Sequence, residues 1–134
     1  MQPIVYLFFN GDCRAAVTRY SEIFGTEPEI MDASAMPPEV KAQMPGLSDD
    51  AVMHAALPVG EGWIYASDDF AGNSPAMAGC NVSVTFPTVE EAQRVFDALA
   101  ERGEVRQPLA PEFFATAFGA LSDRWGIRWM IMAD

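Results

Sequence analysis

One histidine, His54, sits in a strand-like run between Met53 and Ala55. Imidazole is the side chain that exchanges a proton near neutral pH, so His54 is the leading candidate for acid–base work or for a polar contact to a ligand. The competing reading is structural, a hydrogen-bonded histidine held within the sheet. With a single histidine, no two-histidine metal site can be built within one chain. Carboxylates occur as Asp68-Asp69 at the end of a strand pattern, as Glu112 before an aromatic run, and as Asp123 in Asp-Arg-Trp-Gly. The pair and Asp123 read as turn caps, whereas Glu112 reads as a surface residue able to face a cleft. Cys13 and Cys80 are too few for a disulfide framework. Both read as reduced, buried, small apolar side chains in a cytoplasmic setting. Neither GxGxxG, GxxxxGK[ST] nor GxSxG occurs, so phosphate loops and a hydrolase elbow have no sequence support.

Binding hints come from aromatic and small polar residues. Phe8, Tyr65, Phe114, Phe118, Trp125 and Trp129 are spread over strand-like segments. Most must fill the core, and two or three are expected to line an apolar cleft. Asn81, Ser83 and Thr85 alternate with Val82, Val84 and Phe86, so the polar trio points away from the face a helix covers. Apolar walls with a few polar groups describe a small-molecule pocket. The candidate ligand residues are therefore Tyr65, Asn81, Ser83, Thr85, Glu112, Phe114 and Trp129, with His54 as the acid–base candidate.

The elements that must position these residues follow from periodicity. Residues 4–9 are apolar on both faces and read as a central strand. Asp12 is a helix cap, Cys13, Ala16, Val17, Tyr20, Ile23 and Phe24 recur at helical spacing, and Gly25 stops the helix. A weak strand follows at 29–33. Residues 34–50 form a long loop with one helical turn after Pro38, expected to be a mobile lid. Strands at 52–59 and 63–68 make a hairpin around Gly60-Glu61-Gly62. After a linker at 71–79 the pattern returns: a strand from Cys80, a capping box of Thr88 and Glu91, a helix carrying Ala92, Val95, Phe96 and Leu99, and strands at 104–107, 113–121 and 127–132.

A shift of 76 positions lays Thr88 on Asp12, Ala92 on Ala16, Phe96 on Tyr20 and Leu99 on Ile23, an internal repeat. The fold class is α+β: one domain of two tandem βαβββ modules, about 1–70 and 79–134, forming a cupped mixed or antiparallel sheet with helices outside. A cleft between the two sheets is expected. Closed twofold pairing is the commonest soluble assembly, so a homodimer is expected as well.

The 134 residues carry a net charge of −11. Residues 1–70 hold 3 basic and 11 acidic side chains, the remainder 5 and 8, so neither half offers a basic face. Nucleic acid and anionic membranes are disfavoured as partners. No apolar stretch approaches the length of a membrane span, and the N-terminal residues lack the features of a signal peptide.

Phe9-Asn10-Gly11-Asp12-Cys13 with Ala16, Tyr20 and Phe24-Gly25 forms one signature. His54-Ala55, Gly60 and Ala66-Ser67-Asp68 form a second; Phe113-Phe114-Ala115, Phe118-Gly119, Asp123-Arg124-Trp125-Gly126 and Trp129-Met130 form a third. In these spacings and in its element order the chain resembles the vicinal oxygen chelate superfamily, which includes glyoxalase I, extradiol dioxygenases and the bleomycin- and fosfomycin-resistance proteins. Within it the chain resembles the PhnB-like, or 3-demethylubiquinone methyltransferase-like, branch. Phe114-Ala115 stands where that branch usually has Trp-Gly, which trades an indole donor for a bare ring.

The resemblance implies a cleft that in metal-dependent members holds a divalent ion through His and Glu on the first and last strands of each module. Here those positions fall near Val5 and Asn81 and near Ile64 or Tyr65 and Met130. Valine and methionine cannot serve zinc, nickel or magnesium, so neither metal nor other cofactor is expected. The methyltransferase label of relatives has no support, since no glycine-rich nucleotide loop follows a strand. The expected function is binding of a small molecule in the cleft without metal. The alternatives are a glyoxalase- or dioxygenase-like enzyme using His54, in acid–base chemistry or a non-standard metal site, and a structural or regulatory homodimer without ligand.

Overall fold

Short apolar strands and two amphipathic helices sort the chain into two units, residues 1–74 and 75–134. The structure, a computed structural model, describes all 134 residues. It is an α+β fold of eight strands in two mixed four-stranded sheets. No helix is long and apolar enough to cross a membrane.

The first unit runs β1 (Val5–Phe9), α1 (Cys13–Phe24), β2 (Glu29–Asp32), a 3-10 turn (Ala33–Ala35), α2 (Pro38–Lys41), β3 (Val52–Val59) and β4 (Gly62–Asp68). The sheet order is β1-β4-β3-β2, with β1 parallel to β4 and the other neighbours antiparallel. Helix α1 lies over β3 and β4. It buries Cys13, Ala16, Val17, Tyr20 and Ile23, the stripe that 3.6-residue periodicity places on one face. Gly25 ends it at φ 68°, a left-handed conformation that a Cβ would penalise, and donates its N–H to the Ser21 carbonyl.

The start of α1 departs from expectation. Asp12 makes no side-chain cap. Instead the buried Asp68 carboxylate, from the far end of β4, accepts Gly11 N–H at 3.1 Å and Cys13 N–H at 2.9 Å on one oxygen. Its other oxygen accepts Val52 N–H at 2.9 Å, so one side chain ties α1, β3 and β4 together.

Residues 34–50 are folded back by local bonds rather than left as a bare loop. Ala33 N–H reaches the Ala51 carbonyl at 2.9 Å and Ser34 N–H the Asp49 carbonyl at 3.1 Å. Lys41 pairs with Asp49, and Arg14 on α1 pairs with Asp32 at 2.8 Å.

The second unit runs β5 (Val82–Phe86), α3 (Val89–Ala100), β6 (Glu104–Glu112), β7 (Ala115–Ser122) and β8 (Arg128–Ala133), in the order β5-β8-β7-β6. Thr88 Oγ1 accepts Glu91 N–H at 3.2 Å, the cap expected for α3. Because β6 extends to Glu112 and β7 begins at Ala115, Phe113 and Phe114 occupy a turn, not the strand expected from 113. Gly119 allows the close approach of three elements, since a Cβ there would lie 2.7 Å from the Phe96 ring and 2.9 Å from Leu109 backbone atoms.

The two helices are offset by 76 residues but β1 and β5 by 77. One residue of slip between helix and strand inverts which side chains face the helix. Leu7 and Phe9 therefore correspond to Val84 and Phe86, and Tyr6 corresponds to Ser83.

The cysteines differ. Cys13 has no exposed surface, and burial, reinforced by the charge of Asp68, pushes its thiol up to about 12. Cys80 is exposed, contrary to the burial expected for it, because the strand starts two residues later at Val82. At pH 8 a thiol reagent is expected to titrate one sulfhydryl per folded chain and two after denaturation in urea. Prompt reaction of both in the folded chain would show that Cys13 is reachable.

Candidate functional site

Strand alternation in the first unit separates two faces. On β1, Leu7 and Phe9 are buried on the α1 side, whereas Tyr6 and Phe8 stand on the opposite side, 40% and 59% exposed. Parallel register sets Tyr6 beside Tyr65 and Phe8 beside Ser67. On β3, Ala55 and Leu57 are buried while His54 turns to the Tyr6 face, and Met31 of β2 lies opposite it. Trp63 completes this surface from β4 and is exposed, as is Met31.

The side chains meet in a cluster. Tyr6 Oη lies 3.0 Å from His54 Nδ1, a hydrogen bond whose proton sits on either atom according to the imidazole tautomer. The Tyr65 ring stands edge-on to His54, with centroids 5.0 Å apart and planes at 74°. Phe8 packs on Tyr6 at 5.3 Å and Trp63 lies 6.5 Å from Tyr65. The face thus offers π surfaces around one paired donor and acceptor, the combination that holds a flat organic group and orients one polar atom of it. His54 and Tyr65, both singled out from the sequence, lie together on this face. Tyr6 and Trp63 were not singled out; Tyr6 is hidden in a run that is apolar at every position.

In the second unit Ser83 and Thr85 are exposed on the face away from α3, in register with Met130 and Met132. Phe118 lies on the same face opposite Met132. Asn81 precedes β5 and accepts a 2.8 Å hydrogen bond from Arg106. Glu112 ends β6 and takes a 3.4 Å hydrogen bond from Gln107. Phe114, 53% exposed in the turn, meets Phe113 and Phe118 edge-on at 5.1 and 5.2 Å. Trp129 requires correction. It has no exposed surface, shares the helix-side face of β8 with Ile131 and Ala133, and donates its indole N–H to Asp123 at 3.0 Å. It is a core residue with no face free for a ligand.

A separate recess of about 640 Å³ opens near the start of α1, walled by Arg14, Thr18, Leu47, Asp50, Asp69 and Phe70. The Ser48 and Ser74 hydroxyls hold Asp50 and Asp69 below the ordinary carboxylate range, so both stay charged near neutrality. This recess contains none of the sequence candidates, and its carboxylates are already engaged by these serines.

The donor set on the sheet faces does not fit the divalent ion of metal-dependent superfamily members. The first- and last-strand positions away from the helices are Tyr6 with Tyr65 and Ser83 with Met130, so the first-strand positions are Tyr6 and Ser83 rather than the Val5 and Asn81 that the resemblance implied. Phenols beside one imidazole in the first unit, and a hydroxyl with a thioether in the second, are each a poor donor set for zinc, nickel or magnesium. No group of three or more His, Cys, Asp or Glu side chains is placed so that it could hold a metal ion.

Two helix-backed βαβββ-type units make a glyoxalase-like fold, and comparison with known proteins agrees. The family model for 3-demethylubiquinone-9 3-methyltransferase matches residues 2–132, and the chain belongs to that family. Protein YjdN of Escherichia coli (strain K12) is 29% identical over 136 residues, covering 94% of this chain and 90% of YjdN. The crystal structure of PA1353 from Pseudomonas aeruginosa superposes with a TM-score of 0.87 at 38% identity, covering 100% of this chain and 98% of that one. A glyoxalase/bleomycin resistance protein/dioxygenase family enzyme from Burkholderia phytofirmans PsJN shares the fold, with a TM-score of 0.67 at 14% identity over 97% of this chain and 95% of its own.

Proposed function

We propose that the chain binds a small organic molecule on the helix-free face of its first sheet. Tyr6 and His54 supply the polar contacts; Phe8, Trp63 and Tyr65 supply the apolar surface. The observation that carries this reading is the hydrogen-bonded Tyr6–His54 pair set among exposed aromatic rings. Exposed rings grouped on one sheet face are costly in water unless they serve binding. A ligand with an apolar or aromatic body and one carbonyl or anionic group suits the set, and neither metal nor cofactor is invoked. Methyl transfer, the activity in the family's description, is not carried over, because no glycine-rich loop is present to seat a nucleotide-like methyl donor.

A second reading, proton transfer to or from such a ligand, is favoured by the 3.0 Å Tyr6–His54 contact, which couples two groups able to exchange a proton. The proposal also places the protein in the cytoplasm as a homodimer, away from nucleic acid and membranes. Two free cysteines support the compartment, and the acidic composition disfavours nucleic acid and anionic membranes.

His54→Ala tests the site. Its imidazole is partly exposed and meets Tyr6 and Tyr65, so the melting temperature is expected to move by less than about 3 °C. Binding of carbonyl or carboxylate metabolites found by thermal-shift screening is expected to weaken by about tenfold or more, the loss of one good hydrogen bond to a polar group. A melting temperature lowered by more than about 8 °C with affinity unchanged would place His54 among the structural residues.

A further inference from the structure

The second unit contains two partly buried arginines with no carboxylate partner. Arg106 sits at an irregularity in β6, between Val105 and Gln107. Its guanidinium donates to the Leu121 carbonyl at 3.0 Å and to Asn81 Oδ1 at 2.8 Å. Arg128 opens β8 on the face away from α3, in register with Ser122. Both side chains are half-buried, and neither forms an ion pair. The Nε atoms of both are buried without a hydrogen-bond acceptor. Glu104, opposite Ser122 on β6, is the carboxylate whose field reaches Arg106, and it forms no ion pair with either arginine. Burial first, and then the neighbouring charge of Arg128, lowers the proton affinity of Arg106.

In a chain of net charge −11 this juxtaposition is unexpected. Acidic side chains are abundant, yet none neutralises these two cations. Partly buried like charges repel, and buried N–H groups without acceptors are destabilising. An anion seated between the guanidinium groups relieves the repulsion. Planar forks recognise carboxylate and phosphoryl oxygens bidentately. Asn81 and the Leu121 carbonyl take both Nη2 hydrogens of Arg106, which fixes its guanidinium in place and leaves Nη1 to meet an anion, so the bidentate contact falls to Arg128.

We infer that Arg106 and Arg128 form an oxyanion-binding site in the second unit, taking the carboxylate or phosphoryl group of a small molecule, with Asn81 as the residue that positions Arg106. This site is independent of the aromatic face of the first unit, so either can fail without the other.

Calorimetric and thermal-shift titrations with inorganic phosphate, propionate and chloride, at constant ionic strength, test it. Phosphate or propionate is expected to bind saturably and raise the melting temperature, while chloride does neither. A response to phosphate alone identifies a phosphoryl group, and one to propionate alone a carboxylate. Arg128→Gln is expected to abolish the response while leaving the melting temperature in chloride no lower, since it removes a repulsive charge. Arg128→Lys, which keeps the charge and loses the fork, is expected to weaken binding by about tenfold. Overturning outcomes are the absence of any saturable response, a response that chloride reproduces, or a response that survives in folded Arg128→Gln.

Discussion

Asp68→Ala is expected to lower the stability of the first unit by about 3–5 kcal/mol. The carboxylate accepts three backbone N–H groups, from Gly11, Cys13 and Val52, and is 8% exposed. Each buried donor left without an acceptor costs about 1–3 kcal/mol, and water entering the vacated space recovers part of that. Small domains are stable by only about 5–15 kcal/mol, so such a loss takes much of the margin. Asp68→Asn keeps one acceptor but turns an amide toward a donor, and is expected to fall between wild type and alanine. Urea denaturation followed by circular dichroism measures both variants. A loss below about 1 kcal/mol in the alanine variant would mean that α1 holds its position without Asp68.

Trp129→Ala carries the second large effect, about 3–5 kcal/mol, the usual cost of deleting a large buried aromatic side chain. The indole is fully buried and its N–H reaches Asp123 Oδ2, whose other oxygen accepts Trp125 and Ile127 N–H at 2.9 and 3.0 Å. Truncation therefore leaves both a cavity and a buried oxygen without its donor. Trp129→Phe retains much of the volume and is expected to lose about 1–2 kcal/mol, since only the hydrogen bond and some packing disappear. The same urea experiment distinguishes this from the ligand-contact role read from the sequence. Unchanged stability in the alanine variant would restore Trp129 to an accessible face.

These two residues also mark where the sequence is legible and where it is not. Both long helices could be read locally, because Gly25 and Thr88 sit within the segments they end and begin. The cap of α1 could not. Asp68 lies 55 residues beyond Cys13, and only the parallel pairing of β1 with β4 brings it there. Side-chain parity was readable on β5, where Ser83 and Thr85 alternate with apolar neighbours. It was unreadable on β1 and β8, where both faces carry apolar or aromatic side chains. That is why Tyr6 went unnoticed and Trp129 was set on the wrong side. On β3 His54 lies on the face opposite Ala55 and Leu57, but Val52 and Ala56 on its own face are buried too, so burial along this strand does not mark one face as the open one. Arg106 gave no local signal, since its partners Asn81 and Leu121 are 25 and 15 residues away.

The central claim, a ligand face built around Tyr6 and His54, is most directly tested by nuclear magnetic resonance with the only imidazole of the chain as reporter. Isotope-labelled protein would be titrated with a library of small carbonyl- and carboxylate-bearing aromatic compounds. The account predicts that hits move the His54 ring resonances together with those of Tyr6, Phe8, Trp63 and Tyr65, and that Tyr6→Phe weakens them. Hits that leave His54 unmoved and instead shift Arg14, Thr18 and Phe70 would contradict it and assign binding to the recess beside α1.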